Sequence, residues 1–230
     1  MRSSKKPTPS LPLSAEATRA RLTEINAELR RRVEARAQAA RAEAMRTAGL
    51  LDFVPLVSPQ YIAPEHLAPA LEVFEAIARG ERVRACISIP PQHGKTETVL
   101  HALAWLLRRR PDWTLAFATY QQEQADDKSH AARDIARRAG VDLSADRANL
   151  RFWRTDKRGG CLFTAVGGPF TGQGVRAAIV DDPYKGRSEA LSDATRKHVE
   201  RWFSSVVLQR GQEDLSVVVI HTRWCEDDLI

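Results

Sequence analysis

The segment Ile87-Ser88-Ile89-Pro90-Pro91-Gln92-His93-Gly94-Lys95-Thr96-Glu97 constrains this chain more than any other. An apolar run, Val83–Ile89, leads into it, and a helical pattern runs from Thr96 to Arg109 behind it. A strand that ends in Gly-Lys-Thr and opens a helix has the form of a phosphate-binding loop. Backbone N–H groups curl around an anion there, and the helix N-terminus adds positive potential. In that arrangement Lys95 reaches the β- and γ-phosphates, and the Thr96 hydroxyl ligates Mg²⁺. The full G-x-x-x-x-G-K-[ST] pattern is not met, because Ile89 stands at the first glycine position. Read alone, the segment is also compatible with an ordinary loop carrying a surface lysine.

The rest of the chain alternates in the way such a loop requires. Thr114–Thr119 reads as a strand and Gln121–Arg138 as a helix. Arg151–Arg154 and Cys161–Val166 read as short strands around a turn at Asp156–Gly160. Ala177–Val180 is a buried strand, Ser188–Leu208 a helix and Leu215–His221 a strand. Strands alternating with helices predict an α/β domain with a mainly parallel sheet. Upstream, Pro55, Pro59 and Pro64 predict irregular chain over 51–64, then a helix over Glu65–Arg79 that ends near Gly80. The length of 230 residues suits one sizeable domain with an arm. No apolar run approaches the ~20 residues of a membrane span, and the basic N-terminus lacks the apolar region of a secretory signal. Cys86, Cys161 and Cys225 lie far apart, which fits free cytosolic thiols better than a metal site or a disulfide framework.

The charge is uneven. Residues 1–50 hold 11 basic and 5 acidic side chains, and residues 51–230 hold 24 of each, so the whole excess of +6 sits in the first fifth. Pro7, Pro9 and Pro12 mark a disordered leader. Ser14 is positioned to cap a helix, along which Leu22, Ile25, Leu29 and Val33 recur at helical spacing. The helix continues to about Ala48, and Gly49 is placed to stop it. The predicted division is a basic arm over 1–50 and a nucleotide domain over 51–230. Such an arm suits nucleic acid or an acidic partner, and equally a solvated Arg-rich helix.

Ala177-Ala178-Ile179-Val180-Asp181-Asp182-Pro183 is an apolar strand ending in two acids. Beside a phosphate loop, Asp181 holds Mg²⁺ directly or through water, and Asp182 orients or deprotonates the attacking water. By itself the run is also a common way to begin a turn. Val217-Val218-Val219-Ile220-His221-Thr222-Arg223-Trp224 is a further buried strand with a polar end. There Thr222 either senses the γ-phosphate or caps a helix near Asp227.

Taken in order, these motifs resemble the N-terminal ATPase domain of the large subunit of tailed-phage terminases. The resemblance rests on Ile89–Glu97, on Ala118-Thr119-Tyr120-Gln121 with Ser129, and on Gly167-Gly168-Pro169-Phe170-Thr171-Gly172-Gln173-Gly174. It extends to Asp181-Asp182-Pro183-Tyr184-Lys185 and to Thr222-Arg223-Trp224-Cys225-Glu226-Asp227-Asp228-Leu229, covering about Phe53 to the C-terminus. It implies a P-loop NTPase of the additional-strand class that hydrolyses ATP to drive double-stranded DNA into a capsid. Implied partners are DNA, the portal protein, the small terminase subunit and further copies in a ring, in the host cytoplasm and outside the virion.

By motif match, Gln92, His93, Gly94, Lys95, Thr96 and Glu97 hold the nucleotide, Thr96 and Asp181 the metal, and Asp182 is the catalytic carboxylate. Thr222 falls in the coupling motif, and Tyr61 and His66 fall where such ATPases hold adenine. The family usually carries arginine at the positions of Gln92 and Gln173. An arginine on the transferring phosphate contributes ~10³–10⁵ in rate; Arg176, just before the acidic strand, is the first candidate, ahead of Arg187 and Arg223. The family's RNase-H-like nuclease domain has no counterpart here, since the sequence ends at Ile230, and no DNA cleavage is expected. A helicase-like translocase and a nucleotide-binding module without turnover are the competing readings.

Overall fold

The computed structural model describes residues 14–61, 65–170, 174–209 and 211–229. They divide into two compact units, one ending at Glu43 and one beginning at Ala44. The first is the greater part of helix α1 (Ala15–Thr47). The Ser14 hydroxyl accepts the Ala17 N–H at 3.2 Å, the side-chain cap that the sequence predicts. Leu22, Ile25, Leu29 and Val33 are all exposed on this helix, and Glu28 pairs with Arg31 and Arg32.

The second unit begins earlier than residue 51 because Met45 and Leu50 belong to its core. Helix α2 (Leu50–Val57) replaces the expected irregular chain. Leu50, Phe53, Val54 and Val57 bury one helical face, and Pro55 lies late enough in this short helix to remove only one backbone bond. After a single 3₁₀ turn come α3 (Ala68–Ala78), β1 (Arg84–Ser88), α4 (Lys95–Arg109), β2 (Thr114–Thr119) and α5 (Gln122–Arg138). The antiparallel ribbon β3 (Leu143–Ala148), β4 (Phe152–Thr155) and β5 (Gly160–Ala165) follows. The chain then forms β6 (Val175–Asp181), α6 (Arg187–Ala190), α7 (Asp193–Trp202) and β7 (Gly211–His221). The single helix expected over 188–208 is divided because the Ser192 hydroxyl accepts the Thr195 N–H at 3.4 Å and starts α7 afresh. Its last turn widens to a π-type turn over Phe203–Val207.

The seven strands form one sheet in the order β1-β7-β6-β2-β5-β4-β3. The first five are parallel, and β4 and β3 are antiparallel additions. The central strands β2 and β6 are buried on both faces, as in most parallel sheets, whereas the edge strand β1 keeps alternate residues exposed. With a side-chain period of two, Leu115, Phe117, Ile179, Val218 and Ile220 turn toward α2–α5, in the cluster that holds Phe53, Phe74 and Trp105. The alternate residues Ala116, Ala118, Val180, Val217 and Val219 meet Phe170, Trp202 and Val207 on the other face. The result is three layers, with helices on each side of the sheet.

Candidate functional site

Three parallel strands deliver the site. In register, Ser88 of β1 lies beside His221 of β7, and Asp181 of β6 lies beside Ile220. The chain therefore leaves all three strands at one edge, the carboxyl edge where open α/β sheets bind ligands. β7 lies between the strand that carries the loop and the strand that carries the acids. That insertion pairs segments more than a hundred residues apart, and no local pattern encodes it.

The loop from Pro90 to Gly94 turns through two left-handed residues, Gln92 at φ 62° and Gly94 at φ 79°. Glycine adopts this conformation at no steric cost, whereas at Gln92 it costs of order 1 kcal/mol. Gly94 is the residue from which α4 starts, so the first N–H groups of a 15-residue helix face the loop. Lys95 is buried, and its Nζ donates at 2.8 Å to Asp182 Oδ1 and at 2.8 Å to Thr222 Oγ1. The Thr222 N–H also reaches Asp182 Oδ1 at 3.3 Å, and its hydroxyl donates to Ile89 O at 3.2 Å. Asp182 is held at φ 47°, a third left-handed position, as the chain turns off β6. One ammonium thus joins the turns after β6 and β7, and the Thr222 hydroxyl links them to Ile89 at the end of β1.

Asp181 is 3% exposed. Its Oδ2 accepts the Thr96 hydroxyl at 2.7 Å, and its Oδ1 is buried with no partner. Burial, and then the neighbouring Asp182 carboxylate, raise its pKa to about 7 against the opposing pull of Thr96 and Lys95. A buried carboxylate with one unused oxygen beside a threonine hydroxyl suits a hard divalent cation. Among the described residues no group of three or more His, Cys, Asp or Glu forms a metal cage. That is compatible with Mg²⁺, which is usually held by one or two carboxylates together with phosphate oxygens and water.

An open cleft of about 410 Å³ adjoins these groups, and Gln92, Lys95, Thr96, Glu97, Asp182 and Thr222 all line it. His93 turns back on the loop, its Nδ1 2.7 Å from Pro91 O. His66 meets the loop from behind, with Nε2 3.3 Å from His93 O. Tyr61 does not line the cleft: its hydroxyl donates to Gly94 O at 3.3 Å and lies 3.1 Å from Thr98 Oγ1, and its ring stacks on buried His101. Its contribution is to brace the loop.

Arg176 is not brought to the site. It lies at the opposite end of β6 from Asp181, five residues or roughly 16 Å of strand away. There it pairs with Asp214 and stacks over Trp113. Arg223 folds onto its own turn, donating to Cys225 O and Glu226 O. Arg187 begins α6 and does not line the cleft. Gln173 lies outside the described residues. No helix forms at Asp227; instead the Asp228 carboxylate accepts the N–H groups of Trp224 and Cys225 at 2.8 and 3.2 Å. It also lies 3.5 Å from Nε2 of buried His221, whose pKa is lowered chiefly by burial. Sequence reasoning gave no role to Tyr120, Tyr184, Lys185 or Trp224, yet all four line the cleft. Their signal was position, since each follows closely on a strand that ends at the site.

No protein-family model and no curated protein matches the sequence. Among solved structures the fold is similar to the large terminase ATPase domain of Thermus phage P74-26, at 17% identity and a TM-score of 0.42, covering 74% of this chain and 67% of that one. A point mutant of that domain aligns at 15% identity and a TM-score of 0.44, over 74% and 68% of the two chains. The large terminase of bacteriophage HK97 aligns at 14% identity and a TM-score of 0.49, over 76% of this chain but only 37% of that one.

Proposed function

We propose that the chain is an ATPase, the nucleotide-hydrolysing domain of a viral DNA-packaging motor. The observation that carries the reading is the meeting of Lys95, Thr96, Asp182 and Thr222, from three distant segments, at one cleft, with Asp181 buried behind Thr96 and bonded to its hydroxyl. Phosphoryl transfer needs a cradle, a cation, a metal ligand and a carboxylate within one small volume. The strand β7 between β1 and β6 supports assignment to the additional-strand class of P-loop folds.

In this reading the loop N–H groups and Lys95 hold the phosphates of ATP, and Thr96 and Asp181 hold Mg²⁺. The ion, when bound, neutralises charge on the phosphate oxygens. Asp182 takes the proton of the attacking water as its oxygen bonds to the γ-phosphorus. The bond to the β-phosphate oxygen breaks, and ADP and phosphate leave. Thr222 carries the change in phosphate occupancy to the end of β7. Residues 1–48 are the arm that meets DNA, the portal protein or the small terminase subunit, in a ring of copies in the host cytoplasm rather than in the virion. Among the described residues no helix is long and apolar enough to cross a membrane.

The test is ATP turnover by the purified chain over a range of protein concentrations, beside Lys95→Ala. Turnover that rises faster than linearly with concentration and vanishes in the variant supports a motor domain completed by a neighbouring copy. Turnover that survives Lys95→Ala refutes the reading. Nucleotide bound but never hydrolysed would favour a binding module instead, and no arginine lines the cleft among the described residues.

A further inference from the structure

Lys185 is the second cation on the cleft wall. Its position is fixed from both sides. Tyr184 before it is buried against Ala190 and Val199, with its ring 6.1 Å from that of His221. The Lys185 N–H donates to Glu189 Oε2 at 2.9 Å, which closes the turn into α6. The side chain itself is exposed and forms no ion pair among the described residues. Lys95, by contrast, is committed to Asp182 and Thr222. Among the described residues, Lys185 is therefore the cation of the cleft lining whose charge no protein carboxylate engages. Phosphoryl transfer spreads negative charge over the equatorial oxygens of the moving group, and a cation aimed there acts on the transition state.

We propose that Lys185 is the second phosphate-binding cation of the cleft, its ammonium bonding the terminal phosphate of the nucleotide held by the same chain. The inference rests on the ATPase reading and deepens it. Lys185 makes and breaks no covalent bond; it donates hydrogen bonds to oxygens already charged. Because it bonds the terminal phosphate, its effect distinguishes a triphosphate from a diphosphate.

The experiment compares the full chain with Lys185→Ala, Lys185→Arg and Lys95→Ala. Affinities for ADP and for a non-hydrolysable ATP analogue are measured by titration calorimetry, with turnover measured in parallel. In Lys185→Ala the affinity for the ATP analogue falls about tenfold while that for ADP stays within about twofold. Its kcat falls on the order of 10²-fold, and Lys185→Arg recovers most of both losses. An unchanged ATP-to-ADP preference in Lys185→Ala overturns the proposal, whether affinity is retained or falls equally for both nucleotides. If that happens while Lys95→Ala abolishes turnover, only the role of Lys185 fails. If Lys95→Ala still turns over, the ATPase reading fails with it. The binding measurement does not depend on turnover, and the exposed side chain leaves the fold intact.

Discussion

Replacing Asp181 by Asn tests the electrostatics of the site without any substrate. In the folded protein this carboxyl keeps its proton up to about pH 7, whereas in the unfolded chain it loses it near its ordinary value of 3.8. Across that interval the folded state binds more protons than the unfolded one, so its contribution to stability falls as pH rises. The interval is about three units, which amounts to roughly 4 kcal/mol in all at about 1.4 kcal/mol per unit. Between about pH 5.5 and about pH 8 the group's share is about 2 kcal/mol. Asn has nearly the shape of the protonated acid, its carbonyl can still accept from Thr96, and it does not titrate. Urea unfolding of both proteins in chelator, at several pH values, gives two profiles in which the other titrating groups cancel. The advantage of Asp181→Asn over wild type should grow by about 2 kcal/mol from the acid end to the alkaline end. Adding Mg²⁺ should shrink that growth, because the ion binds the ionised carboxylate of the wild type and stabilises it. Profiles that run parallel within about 0.5 kcal/mol would refute the claim that this acid is buried in a state that resists ionisation.

Other expectations address the loop, the second core and the arm. Tyr61→Phe removes the hydroxyl that braces Gly94 and Thr98; it should cost about 1 kcal/mol in chemical denaturation and raise KM for ATP more than it lowers kcat. Trp202→Phe keeps a ring against Phe170 but loses the 2.9 Å bond from Nε1 to Gly168 O, and should lower stability by about 1–2 kcal/mol in the same assay. If the arm binds DNA, replacing exposed Arg19, Arg30 and Arg36 by Gln in the full chain should flatten the dependence of log affinity on log salt. The slope should change by about 0.9 for each phosphate no longer neutralised, read by fluorescence anisotropy.

The parts of this fold that could be read from the sequence are those whose signal is local. β2 and β7 have apolar centres at Leu115–Ala118 and Val217–Ile220, α4 and α5 are strongly periodic, and Ser14 caps its helix as its position predicts. β3 escaped because Leu143–Ala148 is an edge strand with no apolar alternation. α2 forms where prolines predict irregular chain because the helical spacing of Leu50, Phe53, Val54 and Val57 outweighs Pro55. At the site, the acids and the lysine were legible because their chemistry depends on residue type next to a strand end. The placement of Arg176 was legible as well: it enters the strand that Asp181 leaves, so extended backbone alone puts the two at opposite ends.

The shared ammonium of Lys95 has a mechanical consequence. Its two hydrogen bonds run to the turn after β6 and the turn after β7. An incoming nucleotide therefore competes for a donor already in use, and part of its binding free energy is spent loosening that knot. Such coupling is reciprocal: whatever shifts the affinity at one end is felt by the same factor at the other. A displacement of the turn after β7 would therefore alter affinity at the loop through this single amine. The two strand-end turns are thus read by one donor, and what loosens one contact is felt at the other.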